Sequence, residues 1–395
     1  MNPIMSNKEM RDFSLVQGGP LFQILLRAGL VGPSMSLLAR RIVVIAAIAW
    51  LPLLIATLVS GHAIGGIALP FLRDVGTHAR LLLGVPLFIA AEIIVHRSIS
   101  ATVDQFVARD IIAIEDRPEF ERIAASAMKL RNSRIAELLL FLFVVTGGYL
   151  IGGRYVSMDL ASWYAVPISG DMQLTAAGYW YVFVSLNIFR FLLVRWYFRL
   201  FIWYRFLWQV ACRVPLQLNA LHPDRAGGIG FLAGSIFAFQ PVVIAHTIVL
   251  AGVFAGRIWN EGASLLYFKM EIAFWVVMLV TLILLPLCFF ATHLSATKRG
   301  GLREYGVVGS RYVDEFRKKW ISKERSEEAL IGTADIQSLA DLSNSFQMVQ
   351  EMRLVPFSSA AALRLGALAV IPFAPLLLTM IPLEELIDRA FGALL

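Results

Sequence analysis

Six polar side chains interrupt long apolar runs in this chain: Glu92, Asn187, Arg190, Gln240, His246 and Arg364. In a run built for lipid such a residue is costly, so it marks a cavity, a solute path or a contact between helices. The densest case is residues 187–206, NIFRFLLVRWYFRLFIWYRF, which carries Arg190, Arg195, Arg199 and Arg205. Their steps of 5, 4 and 6 put Arg195 and Arg199 on one helical face and turn Arg190 and Arg205 away. A voltage sensor needs a continuous spiral of arginines, and this spacing does not supply one. Arg190 lies eleven residues beyond Tyr179, roughly 16 Å along a helix, which is mid-membrane. Glu92 is the carboxylate nearest to it in depth, and both a structural ion pair and an anion path are open readings. Arg195 and Arg199 fall where the helix should meet the cytoplasmic headgroups. They are expected to reach out there as contacts for anions or lipid headgroups.

No catalytic machinery is legible. The sequence holds no HExxH or CxxC metal pattern, no GxxxxGK[ST] phosphate loop and no GxSxG nucleophile elbow. We therefore expect no catalytic residue, no metal and no cofactor. His246 and His293 are isolated, and the two cysteines, Cys212 and Cys288, exclude a disulfide scaffold. His222-Pro223-Asp224 resembles the HPD tripeptide of J-domain co-chaperones. That tripeptide joins two soluble helices, whereas here it precedes an apolar span, so the likeness is one of composition alone. Behind it, Arg225 and the glycines at 227, 228 and 230 have two readings. Free amides at a helix N-terminus beside Arg225 can hold an anion. The same glycines also suit a plain re-entry turn.

The elements that must position these residues are membrane helices. Of 395 residues, 58% are hydrophobic and 16% charged, and the mean hydropathy is +0.70. A soluble domain carries roughly 25% charged residues. The fold class is all-α, a polytopic transmembrane helix bundle of about seven spans with two helical cytoplasmic segments. The apolar runs are 42–60, 81–95, 135–152, a fourth from Tyr179, 231–255 with Pro241, 272–292 with Pro286, and 360–381. With the N-terminus inside, 27 Lys and Arg lie on the cytoplasmic side, 6 lie outside and 2 lie within spans, which accounts for all 35. Basic residues stay on the cytoplasmic side, so the C-terminus is expected outside, in what reads as a bacterial inner membrane protein.

The chain divides accordingly. Residues 1–41 form a cytoplasmic segment with an amphipathic helix, 42–95 spans one and two, and 96–134 a cytoplasmic loop of two short helices broken near Pro118. Residues 135–213 hold spans three and four, 214–230 a Gly-rich loop, and 231–292 spans five and six. Residues 293–359 are a second cytoplasmic helical segment, and 360–395 hold span seven and a short interfacial helix. In 334–353, Leu339, Leu342, Phe346 and Val349 recur at steps of three and four, a narrow stripe for packing on a partner helix of the same or another subunit.

Two functions fit. One is a homo-oligomeric channel or transport-type protein with a basic cytoplasmic mouth for anionic solutes. The other is a membrane scaffold or signalling protein that meets a soluble partner through 293–359. Nucleic acid is not an expected partner, because the basic residues follow membrane topology.

Overall fold

The computed structural model describes residues 13–32, 37–155, 161–168, 171–322 and 333–380, with the backbone alone at 149–155 and at Ile168. Its elements are α1 (Pro20–Arg27), α2 (Leu38–Val59), α3 (Val75–Ala108), α4 (Arg117–Arg131) and α5 (Arg134–Tyr155). A hairpin of β1 (Ala165–Ile168) and β2 (Asp171–Leu174) follows. Then come α6 (Ala176–Arg213), α7 (Gly230–Glu261), α8 (Leu265–Ile321), α9 (Ala334–Gln350) and α10 (Ser359–Met380). The architecture is a helix bundle. Among the described residues six helices are long and apolar enough to cross a membrane: α2, α3, α6, α7, α8 and α10. Helix α5 covers the run expected as a third span.

Several helices outrun the apolar stretches that announce them. Residues 96–108 continue α3, and Pro118 opens α4 where a proline costs no hydrogen bond. The expected pair of short helices in 96–134 is thus a helix extension plus one helix. Pro241 likewise starts the long part of α7 after a break at Phe239. Pro286 lies in a tightened stretch, Leu285–Phe290, and the helix then runs on to Ile321. The charged run 310–330, SRYVDEFRKKWISKERSEEAL, reads in the sequence as a helix of its own; up to Ile321 it is the far end of α8, and 323–330 lie outside the described residues. The hairpin is not legible in the pattern, because its two strands have four residues each. Residues 381–395, expected as an interfacial helix, lie outside the described residues.

The core is aromatic. Trp163, Trp196, Trp203, Phe88, Phe106 and Phe120 are fully buried. Phe13, Leu15 and Val16 are buried as well, with the Phe13 and Phe206 rings 5.0 Å apart. Small residues set the closest helix approach. A Cβ on Gly252 of α7 would lie 2.4 Å from Ala79 Cβ of α3, and one on Gly84 would lie 2.8 Å from Val249 Cγ2. Such close backbones gain dispersion where no hydrophobic effect operates between lipid and protein. Opposite α7 a wide π-turn interrupts α3 at Ala79–Gly84, and another interrupts α6 at Tyr181–Ser185. Turns of this kind re-aim side chains and recur at functional sites.

Helix α9 packs on α8 of the same chain. Val349 is buried and Leu339, Leu342 and Phe346 are half-buried. Cβ positions on Gly301 and Gly306 of α8 fall 3.0 Å from Val349 and 3.9 Å from Phe346. Asp335, in the first turn of α9, bonds Lys319 and Trp320 of α8, and these bonds hold its carboxyl below the usual range.

Candidate functional site

Glu92, on α3, is 4% exposed, and three guanidinium groups converge on it. Arg199 Nη2 donates to its Oε1 at 2.6 Å and Arg41 Nη2 lies 2.8 Å from its Oε2. Arg195 Nη1 stands 3.6 Å from Oε1. Arg41, Arg195 and Arg199 are themselves only 3%, 7% and 3% exposed. Their helices explain the meeting. On α6, Leu192, Arg195, Arg199, Ile202 and Phe206 share one buried face at steps of three and four. On α2, Arg41 shares its face with the buried Ala49, Leu53 and Thr57, each a multiple of four residues away.

A second acid, Glu137 at the start of α5, stands 3.5 Å from Arg195 Nε and accepts the Leu21 amide. Three guanidinium groups thus share two carboxylates. Arg131, close by at the end of α4, adds a fourth. Burial and the Arg199 charge push its pKa down to about 10, so it remains a cation at neutral pH. At ordinary ionisation three guanidinium groups against two carboxylates leave a surplus of one positive charge, and Arg131 adds another. Arg41 Nε is buried and has no hydrogen-bond partner.

The N-terminal segment covers the cluster. Arg131 Nη1 donates to the Ser14 carbonyl at 2.5 Å, Ser14 Oγ meets His96 Nδ1 at 2.9 Å, and the Gly19 amide donates to Asn132 Oδ1. Between α1 and the bundle a cavity of about 220 Å³ remains, lined by Leu21, Leu25, Ile45 and Phe191 and by the apolar parts of Arg41, Glu92 and Arg195, whose charged groups are turned away from it.

At the hairpin end of the bundle lies a second cavity, of about 340 Å³. Asp74 caps α3 by accepting the Thr77 amide, and it also accepts Thr77 Oγ1 and Trp163 Nε1. Tyr181 Oη accepts Arg80 Nη1 at 2.5 Å. Arg80 and Tyr181 each sit in one of the two π-turns. Arg257 and Glu261 of α7 complete the polar wall.

Aromatic rings join the two regions. Arg80 lies over the Phe189 ring at 5.6 Å, and Phe189 stands 6.1 Å from Phe88. Trp196 Nε1 donates to the Phe88 carbonyl, and Arg199 lies over the Trp196 ring at 4.6 Å. Arg80 and Glu92 are twelve residues apart on α3, roughly 18 Å of helix. The column is packed shut, with Phe88 and Trp196 fully buried.

No family model, curated protein or solved structure matches the chain. The functional argument therefore rests on this geometry.

Of the residues singled out by sequence, Glu92 joins Arg195 and Arg199, but the partner expected for it does not. Arg190 Nη1 and Asn187 Oδ1 both crowd Gly148 of α5, where a Cβ would lie 2.8 Å from each. Arg41, Arg195 and Arg199 supply the counter-charges instead. Arg195 and Arg199 do not reach out to headgroups; they turn inward. Asn187 Nδ2 donates to the Phe183 carbonyl one turn back. His246 bridges the Val242 carbonyl at 2.7 Å and Tyr197 Oη at 3.0 Å, a structural tie between α7 and α6. Gln240 is half-buried at the break in α7, and Arg364 is exposed on α10, so it lies outside the bundle interior.

The Gly-rich loop does not offer an anion free amides. Asp224 Oδ1 accepts the Ala226 and Gly228 amides and its Oδ2 accepts the Gly230 amide at 2.8 Å. The loop supplies its own anion, while Arg225 pairs with Glu351 at 3.0 Å. Gly227 and Gly228 take positive φ, as this tight wrap requires. Sequence reasoning missed Arg41 and Glu137. Their signals were the four-residue repeat down α2 and an acid one turn into an apolar helix.

Proposed function

We propose that the protein is a homo-oligomeric channel or transport-type protein for anionic solutes. In this reading the chain crosses a bacterial inner membrane about seven times, α5 included, with the N-terminus in the cytoplasm. The arginine cluster then lies at the cytoplasmic end and the hairpin-end cavity faces outside. The observation that carries it is the surplus of buried guanidinium charge around Glu92. Burying such a surplus is unfavourable for a purely structural bundle, and an anion would relieve it. The second cavity at the opposite end, separated by Phe88, Phe189 and Trp196, supports a path that is closed in this conformation.

The test is flux from liposomes containing the purified full chain. Chloride and phosphate are the anion probes and potassium is the cation control. Anion release that exceeds potassium release and falls in Arg195→Met, with the variant still folded, supports the reading. Equal leakage of both ions, or none, overturns it. The scaffold alternative draws on Val307, Val308 and Val313, which are exposed on the far part of α8. A soluble partner binding there, in a protein with no anion flux, would favour that alternative.

A further inference from the structure

We propose that the cavity at the hairpin end of the bundle binds one small zwitterion, an α-amino acid with an apolar side chain, held at both of its charges. This goes beyond the anion path. That reading rests on the surplus of arginine charge at the other end of the bundle, and this one on the balanced charge of the hairpin-end cavity.

The surface of this cavity is part polar and part apolar. Among the described residues that line it, the acids are Asp74 and Glu261 and the bases are Arg80 and Arg257, so the charges balance. Arg257 Nε and Glu261 Oε2 stand 3.3 Å apart, one turn from each other on α7, and both side chains are exposed. That pair forms the rim and largely answers itself. The inner wall is different. Arg80 Nη1 donates to Tyr181 Oη at 2.5 Å, Tyr181 Oη lies 3.1 Å from Thr77 Oγ1, and Thr77 Oγ1 donates to Asp74 Oδ2 at 2.7 Å. A guanidinium and a carboxylate thus stand at the two ends of one polar strip, held apart by two hydroxyls. Across from it α7 leaves room, because a Cβ on Gly256 would meet nothing nearer than the Asn260 side chain at 4.0 Å. Ala68, Leu69 and Val253 supply apolar surface beside the strip.

A simple anion answers Arg80 and sets a second negative charge near Asp74. A simple amine does the opposite. A molecule that carries both charges a few bonds apart can lie along the strip, its carboxylate toward Arg80 and its ammonium toward Asp74. Each end then makes the stronger, charge-assisted kind of hydrogen bond. An apolar side chain on that molecule covers Leu69 and Val253, which a polyol would leave facing its hydroxyls. The volume, about 340 Å³, lies within the range of small-molecule sites, roughly 300–1,000 Å³. Arg80 and Tyr181 also come from the two π-turns, a backbone feature that recurs where side chains are aimed at ligands.

The test is equilibrium dialysis of radiolabelled leucine against the full chain in a neutral detergent at low salt. The competitors are isocaproate, which is leucine without its ammonium, isoamylamine, which is leucine without its carboxylate, and glucose. One leucine per chain should bind at least about tenfold more tightly than either single-charge analogue, a difference of about 1.4 kcal/mol. Glucose should not displace it. Gly256→Phe and Val253→Trp fill the cavity without removing a polar group, and each should weaken leucine binding by about the same factor. Arg80→Gln should weaken leucine likewise and leave isoamylamine binding where it was. No leucine binding, equal binding of leucine and an analogue, displacement by glucose, or undiminished binding in both filled variants would overturn the proposal. Bound leucine without any anion flux defeats the transport reading and leaves this site standing. Anion flux with no leucine binding does the reverse.

Discussion

Arg199 Nη2 donates to Glu92 Oε1 at 2.6 Å, joining α6 to α3 inside the bundle. It is one of three ion pairs made by a single carboxylate, and that makes the cluster asymmetric. Removing Arg199 leaves Glu92 with Arg41 and Arg195. Removing Glu92 leaves Arg41 and Arg199 without their carboxylate and Arg195 with Glu137 alone. Breaking one side of a buried ion pair costs about 3–5 kcal/mol, and leaving several like charges unpaired costs more. Glu92→Gln should therefore lower the melting temperature of the detergent-solubilised protein further than Arg199→Gln. Equal losses would mean that the convergence on Glu92 carries little energy.

Helix contact at the hairpin end depends on Gly252. A Cβ there would sit 2.4 Å from Ala79 Cβ, an atom fixed to the α3 backbone, so one of the helices would have to shift. Gly252→Val should cost about 1–3 kcal/mol through overpacking and push α7 off the π-turn that holds Arg80. Gly256, one turn further on, has its nearest neighbour at 4.0 Å, the flexible Asn260 side chain, so Gly256→Ala should be tolerated. The pair is checked by melting temperature. If Gly252→Val is as stable as Gly256→Ala, the close approach is not what holds these helices.

Much of the bundle was legible, because a membrane helix announces itself by length and hydropathy alone. The shared face of Arg195 and Arg199 was legible too, from a four-residue step. Their destination was not. Counting residues from Tyr179 fixes depth along α6 but not the rotation of the helix, and rotation decides between headgroup and interior. The buried face becomes visible only when Leu192, Ile202 and Phe206 are read together with the arginines. Arg41 was assigned to the cytoplasmic flank by charge, although Ala49, Leu53 and Thr57 mark its face as an inner one. The convergence of α2 and α6 on the carboxylate of α3, with a second acid from α5, joins residues far apart in the chain. A single sequence holds no signal for that. The burial of Phe13 to Val16 has the same cause, since four residues are too few to show a period.

Asp224 gives a pH prediction for the Gly-rich loop. Burial raises its pKa, but hydrogen bonds from Ala226, Gly230 and Gly228 and from His222 outweigh that and hold the carboxyl below its ordinary value of 3.8. A depressed carboxylate stabilises the fold above its unfolded pKa and loses that contribution as pH falls through the folded value. Hydrogen-exchange protection of the Ala226, Gly228 and Gly230 amides should therefore stay level through neutral pH and fall only below about pH 4. Asp224→Asn should remove about 1–3 kcal/mol of protection at neutral pH, because an amide side chain has one accepting oxygen where the carboxylate uses two. Unchanged protection in this variant would show that the loop holds its shape by other means.

Phe189 is the ring that Arg80 covers from the hairpin end, and it packs against Phe88 on the way to the arginine cluster. In the proposed path this is the barrier. Deleting the ring in Phe189→Ala would cost about 3–5 kcal/mol in a packed core, enough to confuse a leak with unfolding. Phe189→Leu is milder, since it keeps an apolar side chain and removes only the far edge of the ring. In liposomes it should raise anion release severalfold and leave potassium release unchanged, with the melting temperature close to that of the parent. Adding Arg195→Met on that background should return anion release toward the parent level, because the anion then crosses the opened barrier and meets a weaker field beyond it. A rise in both ions alike would mean a damaged bundle. A rise in anions that ignores Arg195 would mean that the path bypasses the cluster, and the surplus of arginine charge would then need another explanation.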